Sequence, residues 1–124
     1  MVCGDMVSLT KIAKQYTDDS LGYVIQSWMR SRNTLEFLRQ WENDMNGGFD
    51  DRACDELIHQ AHTTSLTVTP SLWIRRTYAV GMCVKQGKGG GVRAYPEIAA
   101  DFHLWLDPAE RLAIVRTMRE LKVN

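Results

Sequence analysis

The chain has 124 residues, 44% of them hydrophobic and 24% charged, enough for one compact domain with its own core and not comfortably for two. These fractions exclude wholesale disorder and collagen, and no apolar run approaches the length of a bilayer crossing. Fifteen cations balance fifteen acids, for a net charge of zero, which taken alone argues against a polyanionic partner.

The N-terminus meets Asp5 at once, without a basic start or an apolar run, so no signal peptide is expected. Ser8 or Thr10 can cap a short helix over residues 11–16. Leu21, Val24, Ile25, Trp28 and Met29 then follow the spacing of an amphipathic helix. Asn33 followed by Glu36 reads as a capping-box variant opening a second helix. Its expected apolar face is Leu35, Leu38, Trp41 and Met45, and Gly47-Gly48 ends it. Asp50 or Asp51 can cap a third helix, with Cys54, Leu57, Ile58 and Ala61 on one face.

Residues 62–65 are polar and break that helix, and residues 66–69 read as extended. Thr69-Pro70 is a cap followed by proline at the first helical position, and the helix it opens carries Trp73, Ile74 and Thr77. Residues 79–86 and 92–95 read as two strands around a glycine-rich tip at 87–91, a hairpin. Pro96 opens a helix expected to bury Ile98, Phe102, Trp105 and Leu106. Asp107-Pro108 repeats the cap-and-proline device before a last helix expected to bury Leu112, Val115, Met118 and Leu121. All four tryptophans, Trp28, Trp41, Trp73 and Trp105, lie on helical apolar faces and are expected in the core. The fold class is α+β: short helices with one hairpin inserted before the last pair, in a single domain over residues 1–124.

The zero net charge hides a segregation. Residues 36–56 carry seven acids against Arg39 and Arg52, a net −5. Residues 57–96 carry no acid and five cations, Arg75, Arg76, Lys85, Lys88 and Arg93. A local basic patch can hold a polyanion even on a neutral chain.

Several familiar motifs fail on spacing. Lys88 is followed by Gly89 rather than a hydroxyl residue, so the glycine-rich tip is no P-loop, and it lies between strands rather than before a helix. Cys54, His59 and His62 share one predicted helix, but their intervals suit no common zinc signature. They read as a buried cysteine and two surface histidines. Asp50, Asp51, Asp55 and Glu56 line one helix start, where they oppose the macrodipole rather than converge on metals. No serine has a His and Asp partner pattern. No enzyme, metal site, cofactor, small-molecule substrate or membrane association is expected. Cys3, Cys54 and Cys83 form an odd set without CxxC, which argues for a reducing compartment and for small apolar roles.

A hairpin with a cationic tip beside a helix is the anatomy of a winged helix-turn-helix, in which the helix enters the major groove and the wing touches the backbone. At these residues the sequence resembles the KilA-N domain family. The resemblance is carried by RSRNTLEFL at 30–38, closing with Trp41-Glu42, and by VTPSLWI at 68–74 followed by Thr77, Ala79 and Gly81. It continues through GKGG at 87–90, Ala94, Glu97-Ile98-Ala99, Phe102, Trp105-Leu106, Pro108 and Glu110, while SLTKIA at 8–13 looks like the family's opening. It spans about residues 8–122.

The resemblance implies a winged-helix-like fold related to the APSES domain, binding to double-stranded DNA, and a phage or mobile-element origin. With that origin come the cytoplasm of a bacterial host and a part in transcription regulation. Two departures are notable. Gly89 stands where the family commonly has an aromatic residue, and Val92-Arg93-Ala94-Tyr95 stands for Thr-Tyr-Ala-His. Family members often continue into a second domain, so a chain ending at Asn124 is expected to be a stand-alone domain or a truncated one.

The candidate DNA-binding residues are Arg75, Arg76, Lys85, Lys88 and Arg93, with Arg30 and Arg32 of the central signature. Arg75 and Arg76 suit base contacts, and Lys85, Lys88 and Arg93 suit phosphates. The alternative is a phage-encoded module that inhibits a host protein through the acidic 36–56 face.

Overall fold

The computed structural model describes residues 5–18, 20–87 and 90–123. Among them the fold is α+β, with seven helices and one three-stranded antiparallel sheet. A short strand β1 (Val7–Ser8) leads into α1 (Leu9–Lys14), followed by α2 (Leu21–Met29), α3 (Arg32–Met45), α4 (Asp51–Thr63) and α5 (Pro70–Thr77). The hairpin strands are β2 (Met82–Lys85) and β3 (Gly91–Ala94), and α6 (Pro96–Leu106) and α7 (Pro108–Val123) close the chain. The sheet order is β1-β3-β2, so β3 is central, with Ala94 opposite both Val7 and Met82. β1 is a strand the sequence did not announce: two residues are too short for a periodic signal, and only pairing with β3 defines it.

Local chemistry sets most helix starts. The Ser8 hydroxyl accepts from the Lys11 N–H at 3.1 Å, Asp50 accepts from the Ala53 N–H at 2.9 Å, and Thr69 accepts from the Leu72 N–H at 3.1 Å with Pro70 behind it. Each satisfies a backbone donor that the first helical turn leaves unpaired. Asp107 does the same for α7 through the Glu110 N–H at 3.0 Å. It also accepts from the Tyr16 hydroxyl at 2.9 Å, which leaves the Nε2–H of His103 as the donor of its 2.8 Å contact with that hydroxyl. This trio ties the end of α1 to the α6–α7 corner.

The core gathers Leu9 from α1, Trp28 and Met29 from α2, Leu35 and Leu38 from α3, Leu57 from α4, Trp73 from α5 and Phe102 from α6. Trp28 and Phe102 meet edge to face at 5.0 Å between ring centroids, a preferred aromatic geometry. Trp28 donates its indole N–H to Asp101 at 3.1 Å, and Trp41 donates to Glu97 at 3.1 Å, so neither buried indole is left unpaired.

Glu42 is 1% exposed and fixes the link between α5 and β2. Its carboxylate accepts from the Val80 N–H at 3.0 Å, the Gly81 N–H at 2.7 Å and the Asn46 amide at 2.9 Å. Gly81 must be glycine there: a Cβ would lie 2.5 Å from Ile98 Cδ1, 2.7 Å from Glu42 Oε2 and 3.0 Å from the Trp41 ring.

The structure corrects several expectations. Trp105 is 38% exposed, because Phe102 fills the core beneath α6 and stacks against it at 6.3 Å. Leu112, Val115, Met118 and Leu121 are exposed, since α7 packs mainly on the preceding helix and its apolar side is left uncovered among the described residues. Met45, at the last turn of α3, is exposed as well. Asn33 does not cap α3: the helix starts at Arg32, Ser31 occupies the cap position without a side-chain bond, and Asn33 is exposed inside the first turn. The first hairpin strand covers Met82–Lys85, half of the expected 79–86, because residues 79–81 are committed to Glu42 and the turn. Cys54 is a buried free thiol, whereas Cys83 is disulfide-bonded, which contradicts both the apolar thiol role expected of it and the reducing compartment read from the cysteine set.

The burial pattern sets the stability cost expected of four substitutions. Trp41→Ala is expected to cost about 3–5 kcal/mol and Trp105→Ala under about 1 kcal/mol, read by denaturant titration; equal losses would contradict the placement of the two rings. Glu42→Ala leaves the buried Gly81 N–H and the part-buried Val80 N–H unpaired and is expected to cost about 3 kcal/mol. Gly81→Ala is expected to cost about 1–3 kcal/mol through overpacking. A melting temperature unchanged in either variant would remove Glu42 from its central place.

Candidate nucleic-acid interface

The acid-free stretch folds into one continuous unit, α5 followed by the β2–β3 hairpin. Trp73 and Thr77 anchor α5 inward, and the Thr77 hydroxyl donates to the Trp73 carbonyl at 2.6 Å. With those positions buried, helical geometry turns Arg75 out to solvent, while Arg76 is half-buried. Tyr78 ends the helix in a left-handed conformation, φ 58°, with its ring exposed. Its carbonyl accepts from the Asn46 amide at 3.0 Å, and the Thr77 carbonyl accepts from the Asp50 N–H at 2.8 Å. These bonds hold the bend despite its strained backbone.

Arg75 and the first hairpin strand line one shallow groove of about 390 Å³, with Ser71, Ile74, Cys83 and Val84 among its walls. Lys85 is exposed at the end of β2, opposite Gly91 in the register. Gly91 has φ +144° and a Cβ there would lie 2.5 Å from the Thr10 hydroxyl. That hydroxyl accepts from the Val92 N–H at 3.2 Å, so α1 fixes the root of the second arm. Lys88 lies outside the described residues.

The other candidates are placed differently. Arg93 stands on the central strand, half-buried, and donates to the Met6 carbonyl at 3.4 Å. Arg30 is exposed at the end of α2 and lines a separate groove with residues 64–68. Arg32 is exposed at the start of α3, 3.7 Å from Glu36, in a groove shared with Asp55, Glu56, His59 and His62. The structure therefore joins Arg75 and Lys85 in one unit and puts Arg30 and Arg32 in grooves of their own. Arg75 and Lys85 have no ion-pair partner among the described residues.

The acidic segment is largely engaged within itself. Arg39 donates to both oxygens of Asp51, at 2.7 and 2.8 Å, and to Asp55 at 3.3 Å. Glu36 lies 3.6 Å from the same guanidinium, and Asn43 donates to Asp51 at 2.9 Å. A planar guanidinium suits this bidentate geometry. The hydrogen bonds from Arg39 and Asn43 hold the Asp51 carboxyl down to about 2. Burial pushes the Cys54 thiol up to about 12. Cys54 points into the core while His59 and His62 are exposed, and the His62 Nδ1 contacts the Ile58 carbonyl of its own helix at 2.8 Å. No metal-binding cluster is formed among the described residues, and no described helix is long and apolar enough to cross a membrane. Glu42 and Arg39 have organising roles that charge counting missed; for Glu42 the available signal was its place in the Trp41-Glu42 motif.

A helix-plus-hairpin unit with solvent-facing cations defines a candidate nucleic-acid-binding domain. The KilA-N domain family matches residues 1–124, the whole chain, and the chain belongs to that family, one of DNA-binding domains. No curated protein and no solved structure matches it.

The Asp51 clamp yields a pH prediction. The carboxyl titrates near 2 in the folded chain and near 3.9 when unfolded, so the folded state binds fewer protons in between. The clamp's contribution is fully present above about pH 4–5 and is lost as pH falls through about 2. Thermal unfolding should show an acid-side loss that is smaller in Asp51→Asn than in the wild type, the remainder coming from groups such as Asp107. The side chain is half exposed, so added salt should shrink the difference; identical acid profiles for the two proteins would contradict the assignment.

Proposed function

We propose that this chain is a non-enzymatic DNA-binding domain that grips duplex DNA through α5 and the β2–β3 hairpin. The observation that carries this reading is the pairing state of the charges. Arg75 and Lys85 face solvent on one unit without a carboxylate partner, whereas Glu36, Asp51 and Asp55 of the acidic segment gather around Arg39 and Glu42 is buried. In winged helix-turn-helix terms, α4 and α5 are the helix pair, α5 the helix offered to the major groove, and the hairpin the wing on the phosphates. Arg75 is the base-contacting candidate of the two adjacent arginines, because Arg76 is half-buried. Lys85 and Lys88 are point charges suited to phosphate. Arg93 supports the wing from the central strand, and Arg30 and Arg32 are secondary contacts at most. The family supports a phage or mobile-element origin, the cytoplasm of a bacterial host and a part in transcription regulation.

The deciding experiment is an electrophoretic mobility titration on random duplex at low salt, repeated with added salt. Affinity should fall steeply with salt. Lys85→Ala and Lys88→Ala should each weaken all duplexes alike and lower the salt slope by about 1, while Arg75→Ala changes the sequence recovered in binding-site selection. No binding at low salt would replace this reading with the host-protein inhibitor. A changed selection with Lys88→Ala and an unchanged one with Arg75→Ala would reverse the division of labour.

A further inference from the structure

α7 is the least explained part of the molecule. Every residue from 108 to 122 is solvent-exposed, and the helix makes its main contact with α6 alone. Five large apolar side chains stand in water along it, from Ile114 at 41% to Leu121 at 73% exposed, with Leu112, Val115 and Met118 between. Helices of this length depend on burying an apolar face more than on intrinsic propensity.

The charges on that face say what can cover it. At 3.6 residues per turn, the five apolar residues fall within one half of the circumference. Arg111, Arg119 and Lys122 fall in the same half, and both acids of the helix, Glu110 and Glu120, fall in the other. None of the three cations has an ion-pair partner among the described residues. We propose that this face of α7 is a docking surface for an acidic amphipathic helix of a partner protein.

Charge and apolarity together narrow the occupant. Two copies of the face would set three cations against three cations, so self-pairing through α7 is opposed. DNA would satisfy the cations and leave the apolar side chains in water. A membrane surface suits a helix whose charges lie opposite its apolar side, whereas here the cations are interleaved with it. A partner helix with apolar residues flanked by carboxylates satisfies both groups at once, as in helix-on-helix recognition. The helix is about 24 Å long, so the contact falls at the small end of specific interfaces and its affinity is expected in the micromolar range.

The test uses the full chain and two labelled designed helical peptides, identical in their leucine core and carrying either glutamate or lysine at the flanking positions. Fluorescence anisotropy should give at least tenfold tighter binding of the glutamate peptide. The double variant Arg119→Glu, Lys122→Glu should reverse that preference, and Met118→Ser should weaken the glutamate peptide tenfold or more. Circular dichroism melts should be unchanged in both variants, because these positions are exposed; if the double variant failed to fold, Met118→Ser would carry the test. Equal binding of the two peptides, or none, would overturn the proposal. So would sedimentation showing a dimer that Met118→Ser dissociates, or flotation with phosphatidylglycerol vesicles that the charge reversal abolishes.

Discussion

One buried carboxylate organises the centre of this fold. Glu42 leaves α3 pointing inward and accepts the N–H groups of Val80 and Gly81, which no sheet or helix ladder satisfies. Burying a carboxylate is expensive unless several donors surround it, and here two backbone amides and the Asn46 side chain do so. The Gly81 carbonyl in turn accepts from the Tyr95 N–H at 3.0 Å. One residue thereby receives α3 on its amide side and the start of α6 on its carbonyl side. The direction of the hairpin relative to α5 follows from that junction, and so does the placing of Arg75 and Lys85 on one unit. The neighbouring Trp41 reinforces it, bonded to Glu97 and 5.0 Å from the Tyr95 ring.

The acidic segment looks like a surface in the sequence and behaves like a joint in the structure. Asp50 is consumed as a helix cap, Glu42 as a core ligand for backbone amides, and Asp51 as the carboxylate that draws Arg39 across from α3 to α4. Asp55 and Glu36 complete the guanidinium's surroundings. The net charge of the segment stays at −5, but Asp50, Glu42 and Asp51 are oriented toward the protein's own donors rather than outward.

The legible parts of the fold were those decided within a few residues. Thr69-Pro70, Asp50 and Asp107-Pro108 start helices where their local chemistry says, and the glycine-rich tip lies between two strands. The misread parts depend on what lies across the molecule. Trp105 and Leu112 have the right periodicity for burial, but periodicity cannot say whether another element arrives to cover them. Asn33 carries the right residue type for a cap, yet the backbone turns two residues earlier, at Ser31. Arg93 was grouped with the free cations of the wing because nothing in the sequence reveals β1, whose arrival beside β3 brings the Met6 carbonyl within reach. The placement of Arg75 and Lys85 on neighbouring elements of one unit is legible from the helix and strand pattern, and the separation of Arg30 and Arg32 into grooves of their own is not.

A neutral chain can still bind a polyanion if its two charge signs are paired to different degrees. The field of an ion pair falls off faster with distance than that of an isolated charge, and at physiological salt even isolated charges are screened beyond about 8 Å. Arg39 and Asp51 form such a pair, at 2.7 Å, and Glu36 and Asp55 beside the same guanidinium keep that cluster net negative. Arg75 and Lys85 are not compensated, and they sit on neighbouring elements of one unit. Local placement of uncompensated cations, rather than neutralisation of the acids, is what the proposed phosphate contact at that unit rests on. On the proposed reading, where the unpaired cations sit matters more than the chain's net charge.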